Sequence, residues 1–172
     1  SLVTLKKSMT DYSLKVAFVG YAGDISTEFM RQMVEHFDLQ DSVEFYEKVP
    51  TKQVAHLLMR SKVNLLWSRF EGNNRSIIEG MFCDTPVVIR EGHNFGYHYP
   101  YINPLTGVFS SEKELPQVLE GIIRGNTTFT PRAYVKEQHN YLVAIKHIAD
   151  TINQLEPSQQ PLPECDGKIN KL

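Results

Sequence analysis

The chain has 172 residues, 41% of them hydrophobic and 22% charged, a balance typical of one soluble globular domain with its own core. Its formal net charge of −2 gives no electrostatic basis for binding nucleic acid or an anionic membrane. The two cysteines lie far apart and no Cys/His spacing is typical of zinc, so we expect neither a disulfide framework nor a metal site.

Targeting features give little information. No apolar run approaches the length of a membrane span, and the first residues lack the apolar segment and cleavage site of a signal peptide. We therefore expect a cytoplasmic protein with no transmembrane segment, while membrane association through a part outside this chain stays open. The chain begins without methionine and enters a structural element almost at once, which suggests a fragment of a longer protein.

The first half of the chain alternates short β-branched or aromatic runs with segments whose apolar residues recur at helical spacing. A serine at the start of one such segment and a proline at the start of the next are typical of helix N-termini. The pattern predicts strands at Lys15–Gly20, Val43–Tyr46 and Val63–Trp67, and helices from Ser26 to about Phe37 and from Pro50 onward.

The second half continues the alternation, with short connections between the elements. The pattern predicts strands at Pro86–Ile89 and Gly107–Phe109, and helices to about Phe82, from Ser111 to near Gly125, and from Thr130 to about Leu155. Such alternation predicts an α/β fold with a Rossmann-like open parallel sheet and helices on both faces. Residues 156–172 are rich in proline and glutamine, so we expect a flexible tail after a domain at 1–155.

The most informative segment joins the third strand to its helix. Two glutamates, Glu71 and Glu79, are separated by seven residues that begin with one glycine and two asparagines. Such a loop is expected to offer bare backbone N–H groups at the positive end of a helix dipole, where phosphate binds well. The flanking carboxylates suit hydroxyl groups, so the pattern favours a phosphorylated, polyhydroxylated ligand, and a nucleotide sugar fits.

The motifs around this segment carry a family resemblance. A Val-x-Phe strand precedes the paired glutamates, and a small turn with Pro-Val-Val follows them. In this order the motifs resemble the C-terminal nucleotide-sugar-binding domain of GT-B glycosyltransferases, and they look most like the retaining family 4 group with its EX7E motif. The resemblance covers roughly residues 15–155 and rests on Val43, Phe45, Ser68, Glu71, Glu79, Pro86, Val87, Val88, Leu105, Thr106 and Gly107.

The resemblance implies a role for each matching residue. Glu71 would bond a hydroxyl of the donor sugar as the catalytic-site residue, and Glu79 would hold the ribose hydroxyls. The loop after the Val-x-Phe strand, with Lys48 and Val49, would lie near the base. The backbone that meets the sugar and the distal phosphate would be that of Gly72, Asn73, Asn74, Arg75 and Ser76.

The function so implied is donor binding in a retaining glycosyltransferase whose substrate is a nucleoside diphosphate sugar, with no cofactor and no metal. The chain departs from the family pattern in two ways. Asn73 and Asn74 stand where the family often has aromatic-glycine, and asparagine tolerates positive φ. The Arg/Lys pair that grips the diphosphate would precede Ser1–Thr10, which is expected to be the next helix. We therefore expect this pair and the acceptor-binding N-terminal domain to lie outside this chain, and we expect the fragment alone to be inactive.

Several alternatives stay open from the residues alone. The domain could be a non-catalytic α/β nucleotide-binding or interaction module, and Arg75 and Glu79 could form a simple helix-surface ion pair. The segment Glu91–Pro104 either brings Asn94 and Gly96 to the donor or the absent domain, or only packs its own tyrosines. His93 and His98 are weak candidates for metal or acid–base chemistry, and an incomplete glycine fingerprint after the first strand disfavours NAD.

Overall fold

The computed structural model describes Lys6, residues 14–20 and residues 25–155, and in these residues parallel strands alternate with helices. The strands are β1 (Val16–Gly20), β2 (Val43–Glu47), β3 (Asn64–Leu66), β4 (Val87–Arg90) and β5 (Gly107–Ser110). The helices are α1 (Thr27–His36), α2 (Thr51–Arg60), α3 (Arg75–Phe82), α4 (Leu115–Ile123), α5 (Pro131–Gln138) and α6 (Tyr141–Leu155), with a 3₁₀ turn at His93–Gly96.

Within the described residues every strand pair is parallel, as the alternation predicts, and the hydrogen bonds there form two sheets. β1 pairs with β2, with Val16 opposite Val43. The other sheet has the order β3-β4-β5, with Val87 opposite both Asn64 and Gly107. The predicted parallel α/β arrangement is therefore confirmed, with its ladder divided between β1-β2 and β3-β4-β5.

Helices cover both faces of β4, because successive residues of this buried strand point to opposite sides. Val88 belongs to one apolar cluster, and Val87 and Ile89 belong to another. The first cluster holds Val34 of α1, Val43 of β2, and Leu115 and Leu119 of α4, together with Leu39. The second holds Ile77 and Met81 of α3, Tyr99, and Val135 of α5.

Two helix predictions differ from the structure. α4 begins at Leu115 rather than just after Ser111, because the Ser111 hydroxyl donates to the Glu114 carboxylate at 2.6 Å and closes a separate turn. The single long helix predicted from Thr130 to Leu155 is wrong, since the chain breaks between α5 and α6. There the Asn140 side-chain oxygen accepts from two backbone N–H groups of the next turn, at 2.8 and 3.0 Å, and starts a new helix.

Two glycines allow close approach between neighbouring elements. A Cβ on Gly80 would lie 2.6 Å from the side-chain nitrogen of Asn64, which itself donates to the backbone oxygen of Ser76 at 2.8 Å. A Cβ on Gly107 would lie 2.1 Å from the backbone oxygen of Val87. The first contact fixes α3 against β3, and the second joins β5 tightly to β4.

No helix within the described ranges is long and apolar enough to cross a membrane. The predicted tail at 156–172, the glycine turn beyond Gly20 and the helix expected at Ser1–Thr10, apart from Lys6, lie outside the described residues.

Candidate functional site

The loop between β3 and α3 holds Glu71 in a defined orientation. The Ser68 hydroxyl donates to the Glu71 carboxylate at 2.6 Å. The backbone N–H of Glu71 donates to the side-chain oxygen of Asn94 at 2.8 Å, and the Asn94 amide nitrogen donates back to the Glu71 carbonyl. Both the side chain and the backbone of the first glutamate are therefore fixed by neighbours.

Asn94 reaches Glu71 from an unusual backbone conformation. Asn94 has φ 45° and ψ 48°, and Phe95 has φ 59° and ψ 31°, so two consecutive residues are left-handed. The turn is supported by the Asn94 N–H, which donates to the carbonyl of Arg69 at 3.0 Å. Asparagine adopts this region at little cost, whereas phenylalanine rarely does. The Phe95 ring is 92% exposed and lies 5.1 Å from the ring of Phe70.

Two tyrosines hold the residues that follow Glu71. The Tyr99 hydroxyl donates to the carbonyl of Gly72, and the Tyr101 hydroxyl lies 3.5 Å from the side-chain oxygen of Asn73. The segment after β4 thus contacts Glu71, Gly72 and Asn73, three successive residues of the loop between β3 and α3 (residues 67–74), which we call the glutamate loop. The aromatic segment, residues 91–104, also packs its own tyrosines, as one of the two alternatives predicts, since the Tyr99 and Tyr101 rings stack 5.2 Å apart.

His93 is buried beneath this contact, with only 1% of its surface exposed. Its Nε2 lies 3.2 Å from the Tyr99 hydroxyl and its Nδ1 lies 3.4 Å from the carbonyl of Ser68. These contacts make His93 a support of the loop. Across the described ranges, no three His, Cys, Asp or Glu side chains are grouped so that they could hold a metal ion.

These contacts surround an open pocket of about 510 Å³, a size in the range of small-molecule sites. The glutamate loop forms one wall, and the aromatic segment with the end of α5 forms the other. The lining residues are Glu71, Gly72, Asn73, Asn94, Tyr97, Tyr99, Pro100, Tyr101 and His139.

Burial changes the ionisation of the aromatic wall. Desolvation, with the nearby tyrosines Tyr99 and Tyr97 adding to it, raises the pKa of Tyr101 to about 12. Desolvation and the Glu71 carboxylate also raise the pKa of Tyr99. Desolvation lowers the pKa of His139, which favours its neutral form. At neutral pH this wall therefore offers uncharged hydroxyl groups and a neutral imidazole.

The start of α3 is less open than predicted. The Asn74 side-chain oxygen accepts from the Ser76 N–H at 2.9 Å and from the Ser76 hydroxyl at 2.6 Å. With the Glu71 N–H also bonded, the expectation that the loop offers bare N–H groups is wrong for these two positions. Asparagine side chains compete for backbone donors in this way at helix starts.

The remaining predicted residues lie outside the pocket. Arg75 and Glu79 are exposed on α3, and no ion pair joins them in the described part of the chain, so the alternative of a helix-surface pair is wrong. Lys48 and Val49 follow β2, where the Lys48 N–H donates to the Gly20 carbonyl at 3.1 Å. The structure thus brings Glu71, Gly72 and Asn73 together in the pocket.

Part of the pocket could not be predicted from local sequence patterns. His139 comes from the end of α5, and the spacing of the chain does not indicate that it faces the glutamate loop. Tyr99 and Tyr101 could be assigned only to an aromatic segment, because their partners lie 27 and 28 residues away. Asn94 is named in only one of the two alternatives for the aromatic segment, and its bonds to Glu71 place it beside the site.

Comparison with solved structures gives the fold. The sucrose-phosphate synthase from Thermosynechococcus elongatus is similar over 90% of this chain and 42% of its own, with a TM-score of 0.68 and 20% identity. The lipopolysaccharide outer core galactosyltransferase WaaB in its apo form is similar over 83% of this chain and 41% of its own, with a TM-score of 0.68 and 16% identity. The predicted GT-B-type α/β fold is confirmed, and the chain spans about two fifths of each neighbour.

Comparison of the sequence gives the family. No curated protein matches the chain. Residues 1–120 match the family described as glycosyl transferases group 1, and this range includes Glu71, the glutamate loop and all five strands of the described residues. The chain therefore belongs to the glycosyl transferases group 1 family.

Proposed function

We propose that this chain is the donor-binding domain of a retaining, family 4-like glycosyltransferase, lying C-terminal to an acceptor-binding domain of the same enzyme. It binds a nucleoside diphosphate sugar, and the complete enzyme transfers the sugar to an acceptor. Family membership supports glycosyl transfer as the chemistry. The finer assignment rests on the two glutamates, with seven residues between them, on either side of the start of α3.

One observation carries the proposal, namely the fixed position of Glu71 at the edge of the pocket. Ser68 orients its carboxylate, and Asn94 fixes its backbone. A carboxylate held in this way is prepared to accept a hydroxyl hydrogen bond, and bonds to charged groups contribute about 1.5–3 kcal/mol. Glu71 therefore suits a donor sugar hydroxyl, and the backbone of Gly72 and Asn73 continues the same wall.

The phosphates are assigned to the start of α3. During transfer, negative charge builds on the leaving diphosphate, and preorganised donors stabilise that charge. The helix dipole contributes roughly 0.3–2 kcal/mol to an anion there, and Arg75 can add a charge-assisted bond. Because enzymes lower barriers by about 8–23 kcal/mol, the helix dipole and Arg75 can supply only part of the stabilisation.

The Asn74 cap affects this assignment. Its side-chain oxygen occupies the Ser76 N–H, so a phosphate oxygen must replace that oxygen before it can use the same donor. In the proposal the asparagine keeps the helix start capped when the donor is absent. Glu79, exposed on the second turn of α3, binds the ribose hydroxyls, and Lys48 and Val49 lie near the base.

Nucleotide binding tests the proposal. The chain, labelled for amide NMR, is titrated with UDP, GDP and ADP, and we expect one of them to shift the amides of Asn74 to Glu79. Glu79→Gln keeps the size of the side chain and removes its charge, and it should weaken binding by about tenfold. Glu35→Gln on α1 is the matched control, since Glu35 is also an exposed helical glutamate.

Two results would contradict the proposal. If none of the nucleotides at millimolar concentration shifts these amides in the chain or in the longer enzyme that contains it, the domain is a non-catalytic module. If Glu79→Gln and Glu35→Gln weaken binding equally, the ribose assignment fails. For catalysis, Glu71→Gln in the complete enzyme should lower kcat/KM by about 10- to 100-fold, while thermal unfolding stays within a few degrees.

A further inference from the structure

We propose that the pocket beside Glu71 is a subsite for an uncharged sugar ring, and that it rejects sugars bearing a carboxylate. The inference rests on the proposed function and adds the class of sugar. The pocket is walled by Tyr97, Tyr99 and Tyr101 opposite the glutamate loop.

The charges around the pocket disfavour an anionic sugar. Among the residues that the structure describes, no lysine or arginine lines it, and Glu71 contributes a carboxylate. His139 stands at the end of α5 as the remaining basic side chain, and burial favours its neutral form. An anionic group placed here would meet a like charge with no cation to balance it, and such an arrangement costs binding energy.

The side chains of the pocket wall match the surface of a sugar ring. A sugar ring presents C–H groups on its faces and hydroxyl groups around its edge. The Tyr97 ring is 54% exposed and offers an aromatic surface to one face, as stacked aromatic side chains commonly do. The Glu71 carboxylate and the Asn73 side-chain amide offer acceptors and donors to the hydroxyls.

The position of Arg75 separates a site for the diphosphate from the pocket. Arg75 begins α3 and does not line the pocket, so the positive charge and the helix N-terminus lie beyond the glutamate loop. A bound nucleotide sugar would therefore be divided, with the diphosphate near Arg75 and the neutral ring in the pocket. The same ring chemistry could also come from the acceptor, and the experiment separates the two sources.

The experiment compares four ligands of the chain by amide NMR. They are the nucleoside diphosphate that binds, its conjugates with neutral hexoses, its conjugates with the matching hexuronates, and methyl hexosides added with the free diphosphate. If the inference holds, the neutral conjugates shift the amides of Gly72, Asn73 and Tyr97 beyond the shifts caused by the diphosphate. The hexuronate conjugates should bind at least about tenfold more weakly than the neutral ones.

Two matched variants test the aromatic wall. Tyr97→Ala should weaken a neutral conjugate by about fivefold and leave the free diphosphate unchanged. Tyr141→Ala is the control, because Tyr141 is 53% exposed, as Tyr97 is, and lies on α6 away from the pocket. Both side chains are exposed, so both variants are expected to fold.

The outcomes separate the inference from the proposed function. If the neutral conjugates shift the amide signals of the pocket residues, the pocket binds the donor sugar. If only methyl hexosides shift these signals, the pocket binds an acceptor sugar. Both results support a site for a neutral sugar. Equal binding of hexuronates and hexoses, or equal weakening of the conjugate and the free diphosphate by Tyr97→Ala, overturns the inference and leaves nucleotide binding intact. Failure of every nucleotide to bind overturns both.

Discussion

The side-chain amide of Asn94 pairs with the backbone of Glu71 as a neighbouring strand would, accepting from its N–H at 2.8 Å and donating to its carbonyl. The two residues are 23 positions apart, so the loop after β4 determines where the first glutamate lies. The proposed role of Glu71 on one sugar hydroxyl would need such support, because small displacements at a reacting centre lower rates strongly.

Replacing Asn94 should separate these bonds from backbone strain. Asn94→Gly removes both hydrogen bonds and keeps a residue that tolerates the left-handed conformation. We expect it to lower the free energy of unfolding by about 1–3 kcal/mol. Asn94→Ala adds a strain of roughly 1 kcal/mol. Urea denaturation measures both, with Asn126→Ala at an exposed position as the control. An equal loss of unfolding free energy in the glycine and alanine variants would contradict the predicted backbone strain at position 94. A loss below about 0.5 kcal/mol in Asn94→Gly would show that the two hydrogen bonds to Glu71 contribute little.

Asn74 allows helix stability and donor binding to be changed in opposite directions. Asn74→Asp keeps the cap on the Ser76 N–H and places a negative charge at the start of α3, so stability should be unchanged or rise by a few tenths of a kcal/mol. The same charge should repel a diphosphate and weaken nucleotide binding by about tenfold. Asn74→Ala loses the cap and should cost about 1 kcal/mol.

Denaturation and nucleotide titration of these two variants give the comparison. If Asn74→Asp bound nucleotide as well as the unchanged chain, the diphosphate would not lie at the start of α3. Asn74→Ser is the control for the cap, since serine also caps helices without adding charge.

Gly107 tests the packing of β5 on β4. Gly107→Ala would place a methyl group 2.1 Å from the carbonyl oxygen of Val87, so the strands must separate, and we expect a loss of roughly 3 kcal/mol or more. Gly121→Ala in α4 meets nothing within 4 Å and should gain about 0.4–1 kcal/mol from helix propensity. Thermal denaturation that moved both variants in the same direction would argue against this packing.

Tyr101 gives a prediction at alkaline pH. Its pKa of about 12 lies above the value of 10.0 for a free tyrosine, so between these values the unfolded chain loses a proton that the folded chain keeps. The stability that Tyr101 contributes is complete below about pH 10 and is lost as the pH rises toward about 12. Tyr101→Phe should flatten this part of the stability profile, and Tyr141→Phe should not. Identical profiles for the two variants would contradict the prediction.

Local patterns predicted most of the scaffold. Runs of β-branched residues predict the strands around Val87 and Val43, and a capping serine predicts the start of α1. Both signals lie in residues that are neighbours in the sequence. The break before α6 was missed because proline at the start of α5 and continuous apolar spacing outweighed the cap formed by Asn140. A single asparagine side chain decided between one helix and two.

The site was predictable only in part, because local patterns do not encode contacts between residues that are distant in the sequence. The spacing of Glu71 and Glu79 indicated a strand, a loop and a helix, and the structure has them. The bonds of Asn94 and Tyr99 to the glutamate loop join residues more than 20 positions apart, and no local period encodes them. The helix dipole predicts free N–H groups for a phosphate at the start of α3, but the Asn74 side-chain oxygen accepts from one of them, the Ser76 N–H.

β4 has no solvent face, since Val88 supports one apolar cluster while Val87 and Ile89 support the other. A slip of one residue in this strand would exchange the two sets of side chains, so both clusters enforce the same register. If either cluster is lost, one face of β4 is no longer packed, and the cluster on the opposite face loses its support. The two halves of the core should therefore melt together, and their amide protons should exchange through one shared opening reaction.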